Sequence, residues 1–246
     1  MTDTHSLSRT KLLKFCYFLG FLILLGCQGE SASAKAKTQE TPAEENEAQE
    51  AQEITTKTIL FFGDSITAGY GLDDTQDSYP EVIQEKIDSL GWDYEVINSG
   101  VSGETTAGGL GRINWILNQD IDVFVLELGG NDGLRGVPLT ETKANLQAII
   151  NAVAEKDGDI EIILAGMELP PNMGKAYTDE FRELFSELAQ ENDLTFIPFI
   201  LKDVGGIPTL NQPDGIHPTV EGHEIVAETV WDYLKPLLQD NATRRL

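Results

Sequence analysis

Cysteine is nearly absent from this chain of 246 residues: Cys16 and Cys27 are the only two, and none follows them. Any domain built from the remaining sequence lacks a disulfide framework and a thiol nucleophile. Whatever nucleophile it carries must be an oxygen. Basic residues are also scarce, with 17 Lys and Arg against 41 Asp and Glu and a net charge of −24. Beyond Arg9, Lys11 and Lys14 no basic cluster occurs. That counts against nucleic-acid binding, which needs a basic surface to displace counterions from phosphates, and against long-range attraction to anionic lipid. Long apolar runs are missing too. The stretch Phe15–Leu25 is shorter than the ~20 residues that a spanning helix needs. What remains is 41% hydrophobic and 8% aromatic, enough to fill the core of one sizeable domain.

The N-terminus has the form of an export signal, with Arg9, Lys11 and Lys14 ahead of the apolar stretch. Leu24-Leu25-Gly26-Cys27 resembles the bacterial lipobox, which implies that 1–26 is a signal peptide and that Cys27 is lipidated as the first mature residue. An ordinary signal peptide with a coincidental Cys is the alternative. Gln28, in place of Asp, favours the outer membrane. The expectation is an exported lipoprotein of the bacterial envelope, held to its membrane through Cys27. Residues 27–57 are rich in Glu, Ala, Thr, Ser and Gln without an aromatic residue, a composition expected to form a disordered acidic tether. The domain is expected over 58–246.

Within it, short apolar runs alternate with segments of helical period. Strands are expected at Thr58–Phe62, Tyr94–Ile97, Val123–Leu128, Glu161–Ala165 and Thr195–Ile197. Helices are expected near 78–90, 105–118, 139–156, 175–192 and 219–238. Continuously apolar strands separated by helices imply a parallel sheet covered on both faces. The expected fold class is α/β: a three-layer αβα, flavodoxin-like domain with five strands in the order 2-1-3-4-5. Its active site belongs beyond the carboxyl ends of the strands.

The loops at those ends carry the chemistry. After the first strand comes Gly63-Asp64-Ser65, where Ser65 either caps a helix or stands as a nucleophile above the sheet edge. The second loop, Val101-Ser102-Gly103-Glu104-Thr105-Thr106-Ala107-Gly108-Gly109, matches neither a Walker nor a dinucleotide glycine pattern. Gly103 there is a backbone turn or an exposed N–H donor. The third, Gly129-Gly130-Asn131-Asp132-Gly133, offers Asn131 as a turn residue or a side-chain donor. Pro213-Asp214-Gly215-Ile216-His217-Pro218 precedes the last helix, and Asp and His three apart can set a carboxylate against Nδ1 and leave Nε2 free as a base. His223, beside Glu221 and Glu224 in the last helix, reads as a solvent-facing, ion-paired residue. Asp214, His217 and His223 lack a recognised metal-ligand spacing, so no metal and no other cofactor is expected.

These four blocks, in this order, resemble the SGNH or GDSL hydrolase superfamily over the whole of 58–246, and most closely its bacterial branch of thioesterases, lysophospholipases and arylesterases. Leu169-Pro170-Pro171-Asn172 belongs to the same likeness. The resemblance implies an ester or thioester hydrolase with Ser65 as nucleophile, His217 as base and Asp214 orienting it. It implies an oxyanion hole of the Ser65 and Gly103 N–H groups with the Asn131 side chain, and a substrate groove at Leu169, Pro170 and Pro171. Asp64 is expected to be structural. Glu168 stands where the branch often carries a basic or neutral polar residue, which counts against attraction for anionic head groups or coenzyme A. A small-molecule or lipid ester is the expected substrate. A carbohydrate O-acetylesterase, or a lipid-anchored binding module on the same scaffold, are the other readings.

Overall fold

A computed structural model describes residues 56–243. The expected signal segment, Cys27 and almost all of the expected tether lie outside the described residues. Five strands form one sheet: β1 (Lys57–Gly63), β2 (Tyr94–Gly100), β3 (Val123–Glu127), β4 (Glu161–Ala165) and β5 (Thr195–Ile197). Every pairing is parallel and the order is β2-β1-β3-β4-β5, as expected. The central strands are apolar without alternation because both their faces are covered. Ile59–Phe62 of β1 and Val123–Leu126 of β3 are fully buried.

Seven helices flank the sheet: α1 (Ser65–Ala68), α2 (Tyr79–Ser89), α3 (Thr106–Ile116), α4 (Gly130–Arg135), α5 (Leu139–Lys156), α6 (Lys175–Glu191) and α7 (Val220–Thr243). Packing of α2 on α7, and of α3 on α5 and α5 on α6, gives the two outer layers, as right-handed crossovers from this strand order require. In α6 the stripe of Phe181, Leu184, Phe185 and Leu188 is buried. Two of the helices, α1 and α4, are too short to have a period that a sequence reveals. The last helix runs past its final leucine, Leu238, to Thr243.

β2 is longer than its apolar run. Asn98, Ser99 and Gly100 continue the ladder against Phe61, Phe62 and Gly63, so polar residues extend the sheet at the end where the site lies. Gly100 is required there by contact: a Cβ on it would collide with the backbone of Ala68 in α1. The strand order reverses between β1 and β3, and α1 and α4 start from those two strand ends, at the topological switch point.

Candidate active site

Asp64 ends the turn after β1 and caps α1, its Oδ1 accepting from the Ile66 N–H at 3.0 Å. Gly69, in the left-handed region at φ 69°, closes that single turn. Ser65 is thereby held at the helix start, with 8% of its surface exposed.

His217 comes from the turn before α7. Asp214 builds this turn and serves the histidine at once. Its Oδ1 accepts from the N–H groups of Ile216 (2.9 Å) and His217 (3.1 Å), while Oδ2 lies 2.6 Å from His217 Nδ1. On the other side of the ring, Nε2 is 2.9 Å from Ser65 Oγ. With an acceptor-only carboxylate at Nδ1, the proton of the neutral ring belongs there and Nε2 accepts from the serine hydroxyl. Partial burial pushes the Asp214 carboxyl up, but the hydrogen bonds from the His217 ring and the two N–H groups outweigh it and hold it at about 2. Gln212 joins the two loops: its Nε2 donates to the carbonyls of Tyr70 (2.7 Å) and Pro218 (2.9 Å), and its N–H to that of His217 (2.7 Å). The Tyr70 ring packs on the His217 ring, centroids 4.7 Å apart.

Gly103 adopts φ +79°, a conformation that favours glycine. Neither its N–H nor that of Ser65 has an acceptor among the described residues. Asn131 lies in the first turn of α4 and donates from Nδ2 to Asp64 Oδ2 at 2.9 Å. Ser65, Tyr70, Ser102, Gly103, Asn131, Asp214 and His217 line one shallow hollow. Beside it opens a cleft of about 420 Å³. Leu169, Pro170 and Pro171 line this cleft, together with Ile66, Leu134, Met167, Phe199, Leu201 and Ile216. Glu168 is at its edge, 3.9 Å from Arg182.

Beneath Ser65 lies a group that sequence reasoning missed. Glu127, the last residue of β3, is 1% exposed. Its Oε2 accepts from the Asp64 N–H (3.2 Å) and from Thr67 Oγ1 (2.8 Å), and Thr67 Oγ1 contacts Tyr79 Oη at 2.8 Å. Burial, with the adjacent Asp64 charge adding to it, pushes the Glu127 carboxyl well above the ordinary range. Asp64, also buried, is raised to about 6 by desolvation against its hydrogen bonds from Ile66 and Asn131. A lone acidic residue closing an apolar strand was the available signal.

The reading of His223 is corrected. It is fully buried, stacks on Tyr79 at 6.3 Å, and accepts the Tyr79 N–H at Nδ1 (3.3 Å). Burial lowers it to about 4, with the His217 charge adding. Among the described residues, no group of three or more His, Cys, Asp or Glu side chains is placed to hold a metal ion.

Residues 61–225 match the GDSL-like Lipase/Acylhydrolase family. The chain is 38% identical over 188 residues to Esterase TesA of Pseudomonas aeruginosa, covering 76% of this chain and 92% of that protein. It is 34% identical over 186 residues to Thioesterase 1/protease 1/lysophospholipase L1 of Escherichia coli K12, covering 75% and 86%. The crystal structure of TesA superposes with a TM-score of 0.70 at 37% identity, over 74% of this chain and 99% of that one. The chain belongs to the GDSL-like lipase/acylhydrolase family. Its activity is the hydrolysis of carboxylic esters.

Proposed function

We propose that hydrolysis proceeds through an acyl-enzyme on Ser65 and that the preferred substrates are neutral esters or thioesters with an apolar acyl group. The reading is carried by the line of contacts from Ser65 Oγ to His217 Nε2 (2.9 Å) and from His217 Nδ1 to Asp214 (2.6 Å). Ser65 Oγ attacks the acyl carbonyl as His217 Nε2 takes its proton. Asp214, kept ionised by its hydrogen bonds, stabilises the imidazolium. The Ser65 and Gly103 N–H groups and the Asn131 amide receive the oxyanion. Collapse expels the leaving alcohol or thiol, protonated by His217, and water then repeats the sequence on the acyl-enzyme. The apolar lining of the cleft supports seating the acyl group there. No Lys or Arg among the described residues lines it, whereas Glu168 does, which supports neutral substrates over anionic ones.

The test is turnover of short and medium p-nitrophenyl esters, together with acetylated polysaccharide. Ser65→Ala should lose on the order of 10⁴-fold or more in kcat. Comparable turnover by the variant would refute Ser65 as nucleophile, and faster acetate release from polysaccharide than from simple esters would move the substrate to carbohydrate.

The lipobox-like Leu24–Cys27 supports a second part of the reading, that the enzyme is an envelope lipoprotein anchored through Cys27, with Gln28 favouring the outer membrane. Cells fed a labelled fatty acid should label the wild-type chain and not Cys27→Ser; equal labelling of both would remove the anchor.

A further inference from the structure

Three arginines fall within the described residues, and two are paired with carboxylates: Arg112 with Glu104, and Arg182 with Asp179 and Glu168. Arg135 is different. In a chain with so large an acidic excess, it has no carboxylate partner among the described residues. Its Nη2 instead donates to two neutral oxygens, the Gly103 carbonyl at 2.9 Å and Asn131 Oδ1 at 3.4 Å. Gly103 and Asn131 are the two residues that, with Ser65, supply the proposed oxyanion donors. Arg135 lines neither the hollow nor the cleft.

Local geometry explains the reach. Asn131 and Arg135 are one turn apart on α4, on the same face of the helix. The buried Asp132 ties α4 to the start of α3, accepting from the Thr106 N–H (2.8 Å) and Oγ1 (2.6 Å). Arg112 holds the neighbouring Glu104 through its guanidinium, at 2.8 and 2.9 Å from Nε. The loop that presents Gly103 is thus fixed at its base, and Arg135 contacts it at the tip.

We infer that Arg135 is a positioning residue of the oxyanion hole, orienting the Asn131 amide and the Gly103 turn so that their N–H groups face the developing oxyanion. This rests on the assignment of the oxyanion donors made above. The amide of Asn131 has two ends, and a flip would turn its carbonyl toward the oxyanion. Asp64 occupies the Nδ2 end and Arg135 the Oδ1 end. A carboxyl can accept or, when protonated, donate. A guanidinium can only donate, so Arg135 fixes the orientation whatever the state of Asp64. Donation to Oδ1 also draws electron density from the amide and makes the remaining Nδ2–H a stronger donor. Finally, a cation beside the donors, without a carboxylate partner among the described residues, favours the negative charge that appears only in the transition state, so the benefit falls on kcat.

The experiment is a double-mutant cycle of Arg135→Ala and Asn131→Ala on the full chain, with kcat and KM measured on a neutral p-nitrophenyl ester and melting curves recorded for each variant. Removing an oxyanion donor directly costs roughly 10²–10³ in kcat; a residue acting through that donor should cost less, about tenfold, with KM within about twofold. The double variant should be slower than Asn131→Ala alone by clearly less than the loss that Arg135→Ala causes by itself, because part of that loss runs through Asn131. Arg135→Lys should recover part of kcat, since an ammonium still donates to one of the two oxygens. Arg135→Gln, which keeps most of the length, replaces the alanine variant if that one melts early. A raised KM with unchanged kcat, or losses that multiply in the double variant, overturns the inference. If Asn131→Ala alone leaves kcat intact, the oxyanion assignment itself fails and Arg135 falls with it. That result is distinct from a normal Asn131 effect with no Arg135 coupling.

Discussion

The proposed nucleophile and its proposed base are built in different ways. Ser65 stands on buried structure: Asp64, Thr67 and Glu127 beneath it are at most 2% exposed. His217 stands on a surface turn, where the Asp214 side chain is 40% exposed and short backbone bonds with Gln212 do the holding. The core fixes one half of the catalytic pair, and local turn geometry the other. A defect on the serine side should therefore damage folding along with chemistry. A defect on the histidine side should damage chemistry alone.

The largest expected effect sharpens that contrast. Asp214→Asn should reduce kcat by about 10⁴-fold, because the amide favours the wrong tautomer of His217, while Tm stays within about 2 °C. Urea or thermal melts beside steady-state rates check both halves; a large fall in Tm would break the comparison. Glu127→Ala, at the other pole, should cost about 2–3 kcal/mol of stability, since it strands the buried Asp64 N–H and leaves a cavity in the core. An unshifted denaturation midpoint would show that the buried acid does not support the nucleophile loop.

The smallest effect is a pH dependence. His223 titrates at about 4 when folded and near 6.5 when exposed. Between those values the unfolded chain takes up the proton first, so stability is lost as pH falls from 6.5 toward 4. From pH 7 to pH 5 the loss from this group is about 2 kcal/mol. Asp64, raised from 3.8 to about 6, acts oppositely in the same window and offsets part of the loss. His223→Leu should therefore show a smaller drop in Tm from pH 7 to pH 5 than the wild type. An equal drop in both proteins would remove His223 as the cause.

The sheet was legible because β1, β3 and β4 hold continuous apolar runs, and the chemistry of this fold collects in the loops beyond the strand ends. Ser65, Gly103, Asn131, Asp214 and His217 could be named for that reason. His223 could have been read correctly from the helical period. It is in register with Val226, Ala227 and Val230, which are all buried, whereas Glu221 and Glu224 project elsewhere. The sequence marks Glu127 as the lone acid of an apolar strand but does not mark its contacts, nor those of Arg135. Their partners Thr67 and Gly103 lie 60 and 32 residues away, and nothing local marks the contact.

The bond between Ser65 and His217 spans 152 residues, and the histidine turn is the last feature before α7. A nascent chain that has already paired β1 with β3 holds a formed nucleophile turn and no base. A chain cut short anywhere before residue 217 would therefore hold the Ser65 turn without the histidine that contacts it.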